Sequence, residues 1–385
     1  MSRSGQHAIA ADVVFDGTVV HRDAAVVIDG ATIAALVPRA DLPAGLPVQR
    51  LPDGCWLAPG FIDVQVNGGG DVLFNDDPTP AGIRAIAAAH RRFGTTGLLP
   101  TLITDTPEKM KAALAAVDEV MDSEPGVLGI HLEGPFLSPE KPGVHAVKHI
   151  RAPTPEDVAP LTASRKGVVL VTLAPECVPP GFIRQLTRAG VRVSLGHSMA
   201  TYEQTRAAMQ EGLTGFTHLF NAMRPLAARD PGPIAAALES SDAWFGMIAD
   251  GVHVDPAMLR LALRGAAKPM LVTDAMPPVG GKRAGFSLYG EEIRVNDGKC
   301  LRHDGTLAGS MLDMATAVRN CVRMMDVPLE TALRFASTHP AAFLRLDHRL
   351  GRLVRGCRAD MVAIDAKDIA TVRTWIAGKA AQLVH

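Results

Sequence analysis

The middle of the chain alternates between two hydrophobic periods. Short apolar β runs recur at residues 61–67, 96–104, 127–133, 168–176, 191–197, 215–218, 245–253 and 270–274. Between most of them lie stretches with helix-like apolar spacing, such as 80–93, 107–121, 202–210 and 256–264. A run without polar alternation is what a strand buried on both faces requires, whereas the longer period is that of an amphipathic helix. Eight such strands interleaved with helices predict a (β/α)8 TIM barrel rather than an open sheet. Residues 285–309 interrupt the alternation with short strand-like pieces and the turn Asn296-Asp297-Gly298. A β-hairpin insertion after the eighth strand is expected there.

The two ends differ from the middle. ADVVFDG, HRDAAVVIDG and ATIAALVP near the start, and GRLVRGCRADMVAIDA and IATVRTWIAGKAAQLV near the end, read as short strands broken by Gly, Asp or Pro. The termini are therefore expected to fold together beside the central domain.

Composition narrows the function classes. With 39 Lys+Arg against 40 Asp+Glu and no basic run longer than a pair, the chain lacks the electrostatic footprint of nucleic-acid binding. One or two placed arginines for an anionic substrate would not show in such a total. No stretch approaches the roughly 18 apolar residues of a membrane span, and the start lacks a secretory h-region, so a cytoplasmic protein is expected. The five cysteines (Cys55, Cys177, Cys300, Cys321, Cys357) are scattered without C-x-x-C, which argues for reduced packing residues.

In a TIM barrel the chemistry sits at the C-terminal ends of the strands. Those ends carry Gln65 and Asn67, Glu133, His197, His218, His253 and Asp274. Any one of them has an ordinary reading, such as a hydrogen-bonded histidine or an Asp that caps the next element. Holding independently at five strand ends, those ordinary readings lose weight together. One Glu with two His is a known ligand set for catalytic zinc, and an Asp not used as a ligand suits proton transfer from an activated water. His131, two residues before Glu133, shares its face and either supports a ligand or simply fills the barrel. Gly68-Gly69-Gly70 has no nucleotide-binding pattern around it, and Ser198 has no G-x-S-x-G elbow.

The motifs APGFIDVQVNGGG (58–70), GIHLEGPF (129–136), KPGVH (141–145), SLGHSMA (194–200), THLFNAM (217–223), ADGVHVD (249–255), LVTDAM (271–276) and GTLAGS (305–310) resemble the N-acetylglucosamine-6-phosphate deacetylases of the amidohydrolase superfamily. The resemblance runs in order from about residue 12 to 376. It implies a metal-dependent TIM barrel spanning 58–345, with a small β-sandwich built from 1–57 and 346–385. It makes Glu133, His197 and His218 the ligands of one divalent ion, zinc or ferrous iron. Asp274 becomes the general base and then the general acid, and His145 polarises the acetyl carbonyl. Asn221 and Ala222 match sugar-phosphate contacts. Arg229 and His253 match the phosphate site, the arginine crossing the interface of a homodimer. Val144, Leu307, Ala308 and Gly309 match substrate-lining positions. Where most of the superfamily has H-x-H on the first strand, this chain has Gln65-Val66-Asn67, which resembles the single-metal branch.

The reaction implied is hydrolysis of the N-acetyl amide of N-acetylglucosamine 6-phosphate. Deacetylation of another phosphorylated amino sugar, such as the galactosamine isomer, stays open. Ring-opening hydrolysis of the hydantoinase or dihydroorotase kind lacks its H-x-H and bridging lysine here. An inactive barrel scaffold predicts the loss of a ligand or the base, and all four residues are present.

Overall fold

A computed structural model describes residues 5–381. The chain forms two compact units. One takes the chain up to Asp63, His90–Gly97, and everything from Asp313 on; the other takes Val64–Ala89 and Leu98–Leu312.

The first unit is organised on a single eight-stranded sheet drawn from both ends of the chain. Its order is Thr32–Pro38, Val20–Asp29, Gln6–Phe15, Cys55–Pro59, Met361–Asp365, Ala370–Ile376 and Lys379–Ala380, with Val48–Arg50 pairing alongside Gln6–Phe15. The termini join where Leu57 sits opposite Ala363 in an antiparallel pair. Because side chains alternate across a strand, Ile9 and Val26 fall in one apolar cluster with Leu57, Met361 and Trp375. Ala8, Ala10, Ala25 and Val27 fall in a second cluster. Three helices, Met314–Met325, Leu329–Ala336 and Thr338–Phe343, complete this unit.

The barrel strands are β1 (Phe61–Val66), β2 (Thr95–Ile103), β3 (Gly129–Glu133), β4 (Val168–Leu173), β5 (Arg192–Leu195), β6 (Gly215–Phe216), β7 (Trp244–Met247) and β8 (Lys268–Leu271). They lie side by side in chain order, with every register from β2 to β8 parallel. A parallel bridge between Val66 and Ala275, with the Asp274 N–H on the Gln65 carbonyl at 3.0 Å, links the last strand back to the first. All residues of β1, β2 and β3 are buried, the polar Asp63, Gln65, His131 and Glu133 included. Helices α1 (Pro80–Arg91), α2 (Pro107–Val120), α3 (Pro155–Thr162), α4 (Phe182–Arg188), α5 (Tyr202–Gln210), α6 (Gly232–Leu238) and α7 (Pro256–Ala262) fill the crossovers. Among the described residues, no helix is long and apolar enough to cross a membrane.

The insertion after β8 is larger than a hairpin. It is a four-stranded antiparallel sheet, Gly285–Leu288, Glu291–Asn296, Lys299–Leu301 and Leu307–Ser310. Two two-residue turns, Tyr289-Gly290 and Asp297-Gly298, have positive φ throughout, the type I′ geometry that matches strand twist. Its apolar face joins Leu288, Ile293, Cys300 and Ala308 to Leu73, Ile103 and Met276. The last strand then returns to the barrel, where Ser310 exchanges backbone hydrogen bonds with Asp274 and Met276 at 3.0 Å each. That return sets Leu307 and Gly309 beside the strand ends.

Candidate active site

Each candidate sits at or just past a strand end. Glu133 is the last residue of β3, while His197, His218 and Asp274 follow β5, β6 and β8 by two or three residues. His197, His218 and Asp274 all have positive φ (49°, 31° and 52°), as do Phe220 and Ala222 in the loop after β6. Left-handed backbone is costly for residues with a Cβ and gathers where a site demands a particular side-chain direction. Here it turns three polar side chains toward one another at the barrel mouth.

Glu133 Oε1 lies 3.1 Å from His197 Nε2 and 3.0 Å from His218 Nε2, and the two ring nitrogens are 3.2 Å apart. Among the described residues this is the one group of His, Cys, Asp or Glu atoms that converges so closely, and all three side chains are buried. His197 Nδ1 faces the Lys141 carbonyl at 2.8 Å. A carbonyl can only accept, so Nδ1 carries the proton and Nε2 presents a lone pair to the cluster. Burial alone would raise the Glu133 pKa, but the neighbouring His197 and His218 rings outweigh it and hold the pKa well below the usual carboxylate range. Burial likewise lowers His218, yet Glu133 outweighs this and its pKa is raised. A carboxylate and an imidazole lone pair crowded together call for positive charge between them, and a two-nitrogen, one-oxygen donor set fits a divalent transition metal.

Asp274 faces this cluster through two amides. Gln65 Nε2 reaches both Glu133 Oε2 (3.2 Å) and Asp274 Oδ1 (3.1 Å), and Asn67 Nδ2 donates to Asp274 Oδ1 at 2.6 Å. Burial and then the Glu133 charge raise the Asp274 pKa, partly offset by His218, His253 and Asn67. His145 comes from the loop after β3; its ring centroid is 4.3 Å from that of His197 and its Nε2 4.0 Å from Glu133 Oε1. Burial, followed by the neighbouring His197, pushes its pKa well below the ordinary value, so the ring is neutral. His253 lies in the loop after β7, its Nδ1 2.6 Å from Asp250 Oδ2. Asn221 donates to the His218 carbonyl at 3.2 Å, and Ala222 accepts from the Ser198 N–H. His131 does not touch the cluster. It fills the barrel between Thr101 and Thr172, and burial lowers its pKa to about 4.

A cavity of about 440 Å³ opens over these groups. Asn67, Glu133, Val144, His145, His197, His218, Asn221, Ala222, His253, Asp274, Leu307 and Gly309 line it. Three of the expected residues do not. Gln65 lies beneath it as the bridge between the carboxylates. Ala308 points into the apolar face of the insertion, since Leu307 and Gly309 occupy the opposite side of the same strand. Arg229 is exposed in the turn Ala227–Asp230, outside the cavity of its own chain. Sequence reasoning overlooked the apolar wall of Ile103, Ile248 and Met276. Met276 could have been found, because it stands two residues past Asp274.

The amidohydrolase family model matches residues 56–381. The N-acetylgalactosamine-6-phosphate deacetylase of Shewanella sp. (strain ANA-3) is 43% identical over 88% of this chain and 86% of its own length. The N-acetylglucosamine-6-phosphate deacetylase of Haemophilus influenzae is 34% identical over 97% and 99%. A crystal structure of N-acetylglucosamine-6-phosphate deacetylase from Pasteurella multocida superposes with a TM-score of 0.93 at 35% identity, covering 97% of this chain and 99% of that one. The chain belongs to the amidohydrolase family, a metal-dependent family whose ion the Glu133–His197–His218 cluster could hold.

Proposed function

We propose that the protein hydrolyses the N-acetyl amide of N-acetylglucosamine 6-phosphate to glucosamine 6-phosphate and acetate. The observation that carries this is one cavity holding Glu133, His197, His218, His145 and Asp274 in a chain this similar to sugar-phosphate deacetylases. Glu133, His197 and His218 would hold one divalent ion, zinc or ferrous iron. That ion would polarise the acetyl carbonyl and acidify the attacking water.

The chain's own residues do the rest. Asp274 takes the proton from the attacking water; its raised pKa brings it nearer the range in which one group both accepts and returns a proton. It passes that proton to the nitrogen, so the C–N bond breaks with a neutral amine leaving. Gln65 and Asn67 aim Asp274 and shield it from Glu133. Neutral His145 donates to the carbonyl oxygen as charge grows on it. Val144, Leu307 and Gly309 flank the sugar. Asn221, Ala222 and His253 meet the phosphate, with Arg229 of a partner subunit completing that end in a homodimer.

The 43% identity to the Shewanella galactosamine enzyme supports a second reading, in which the substrate is N-acetylgalactosamine 6-phosphate. Acetate release is measured on both phosphorylated sugars, with and without a chelator. Turnover of the glucosamine sugar exceeds that of its isomer, stops on chelation and returns with about one equivalent of zinc or ferrous ion per chain. The reverse preference selects the second reading, and turnover of neither sugar removes both.

A further inference from the structure

Thr104 stands one residue beyond β2 and touches His145 twice. Its backbone N–H points at His145 Nδ1 from 3.2 Å, and its hydroxyl oxygen lies 2.8 Å from the same nitrogen. A peptide N–H can only donate, so Nδ1 is an acceptor. With Nδ1 accepting, the ring proton sits on Nε2, the nitrogen that faces Glu133 Oε1. The opposite tautomer would turn a lone pair toward a developing oxyanion.

Thr104 is itself held. Its hydroxyl reaches the Glu133 carbonyl at 3.3 Å, and its own carbonyl accepts the Tyr289 hydroxyl. Tyr289 also lines a neighbouring cavity with His145 and Ala146, the residue after it. Burial raises the Tyr289 pKa, which keeps its proton available for donation. Tyr289 occupies the first position of the Tyr289-Gly290 turn at φ 52°, a conformation bulky residues rarely adopt. The phenol binds the Thr104 peptide, and that gives the strained turn a purpose.

We propose that Thr104 and Tyr289 are positioning residues: Thr104 fixes His145 in the Nε2–H tautomer, and Tyr289 holds the Thr104 peptide in place for it. This rests on the reading of His145 as donor to the acetyl oxygen.

The test uses the zinc-loaded full chain with 15N-labelled histidine, the His145 ring signals being assigned by their loss in His145→Gln. In the wild type, His145 Nδ1 resonates as an unprotonated nitrogen and Nε2 as a protonated one. Tyr289→Phe and Thr104→Val draw the two shifts together as the tautomers mix, and kcat for acetate release falls about tenfold with KM within about twofold. Thr104→Ser, which keeps both the N–H and the hydroxyl, restores the wild-type ring signature. A protonated Nδ1 in the wild type overturns the proposal. So does a lowered Tm in both substitutions with ring signals and kcat unmoved, which a purely structural role predicts. Wild-type acetate release tests the activity itself, so the two readings fail separately.

Discussion

Asp274 is half-buried and close enough to a second carboxylate, Glu133, to feel its charge, and two neutral amides make that arrangement tolerable. Gln65 donates to both carboxylates and Asn67 adds a donor to Asp274. Histidines at these positions would bring lone pairs or further charge, whereas amides bring N–H groups without a net charge. Asp274→Asn keeps the size of the side chain but cannot accept the proton. It is expected to fold and to bind metal like the wild type while losing about 10²–10⁴-fold in kcat. Steady-state rates, metal analysis and a melting curve check this; near-normal turnover with a lowered Tm would reduce Asp274 to a structural cap. At this scale the sequence was most readable where a polar residue ends an apolar run, as at Glu133, His197, His218 and Asp274. Thr104 also ends such a run, but its role comes from His145, 41 residues away, and no local period encodes that meeting; Tyr289 and Ile248 left no such mark.

The loop that carries His145 is fastened at its far end by one ion pair. Arg151 donates its backbone N–H to the Pro135 carbonyl at 3.1 Å, lays its guanidinium over the Phe136 ring, and grips both oxygens of Asp157 at 2.6 Å each. Asp157 in turn accepts the Thr154 N–H at 2.7 Å, closing the capping box of α3. Burial raises the Asp157 pKa, but Arg151 and Thr154 outweigh it, so the folded carboxyl titrates lower than the unfolded one. A depressed carboxyl pKa stabilises the fold above its unfolded value of about 3.9 and loses that contribution as pH falls through the folded value. Because Arg151 is partly exposed, Asp157→Asn is expected to cost only about 1–2 kcal/mol at pH 7. Urea titrations from pH 7 to 2 should show the gap to wild type closing below about pH 4; a gap constant across that range would make the effect one of packing alone. The elements themselves were legible to differing degrees. Strands β2 and β4 announced themselves because burial on both faces favours an apolar run, whereas β1, β3 and β5 carry polar residues at alternate positions. Helices α4 and α6 show no helical period that stands out, whereas α7, also seven residues long, was readable over 256–264. The Asn-Asp-Gly turn of the insertion was readable and the Tyr289-Gly290 turn was not, since tyrosine is not a residue that announces a positive φ.

At the scale of the whole molecule, the charge inventory of the cavity is incomplete for a phosphorylated substrate. Asn221 and His253 line it, but among the described residues no lysine or arginine does. Net charge offers no general attraction for an anion either, at 39 basic against 40 acidic residues. Arg229 is exposed in the turn Ala227–Asp230, a turn steadied by the Arg224–Asp230 pair at 2.6 Å and bearing the exposed, apolar Leu226. A cation and an apolar side chain presented outward together suit a two-fold contact in which each subunit supplies the other's phosphate end. Under that arrangement, Arg229→Ala weakens binding of the phosphorylated sugar far more than that of the plain sugar, because a guanidinium binds phosphate through paired donors. Mixing tests whether the arginine acts across subunits. Arg229→Ala and Asp274→Asn proteins are combined in equal amounts, allowed to exchange subunits, and assayed well below the KM of the arginine variant. In a mixed dimer, the site that keeps Asp274 receives Arg229 from its partner and is complete, while the other site lacks both. Random pairing makes half the dimers mixed, so about a quarter of all sites should regain wild-type kcat/KM. If Arg229 serves only its own chain, no site in the mixture has both residues. The activity would then stay at the average of the two parents, and the shared phosphate site would be excluded.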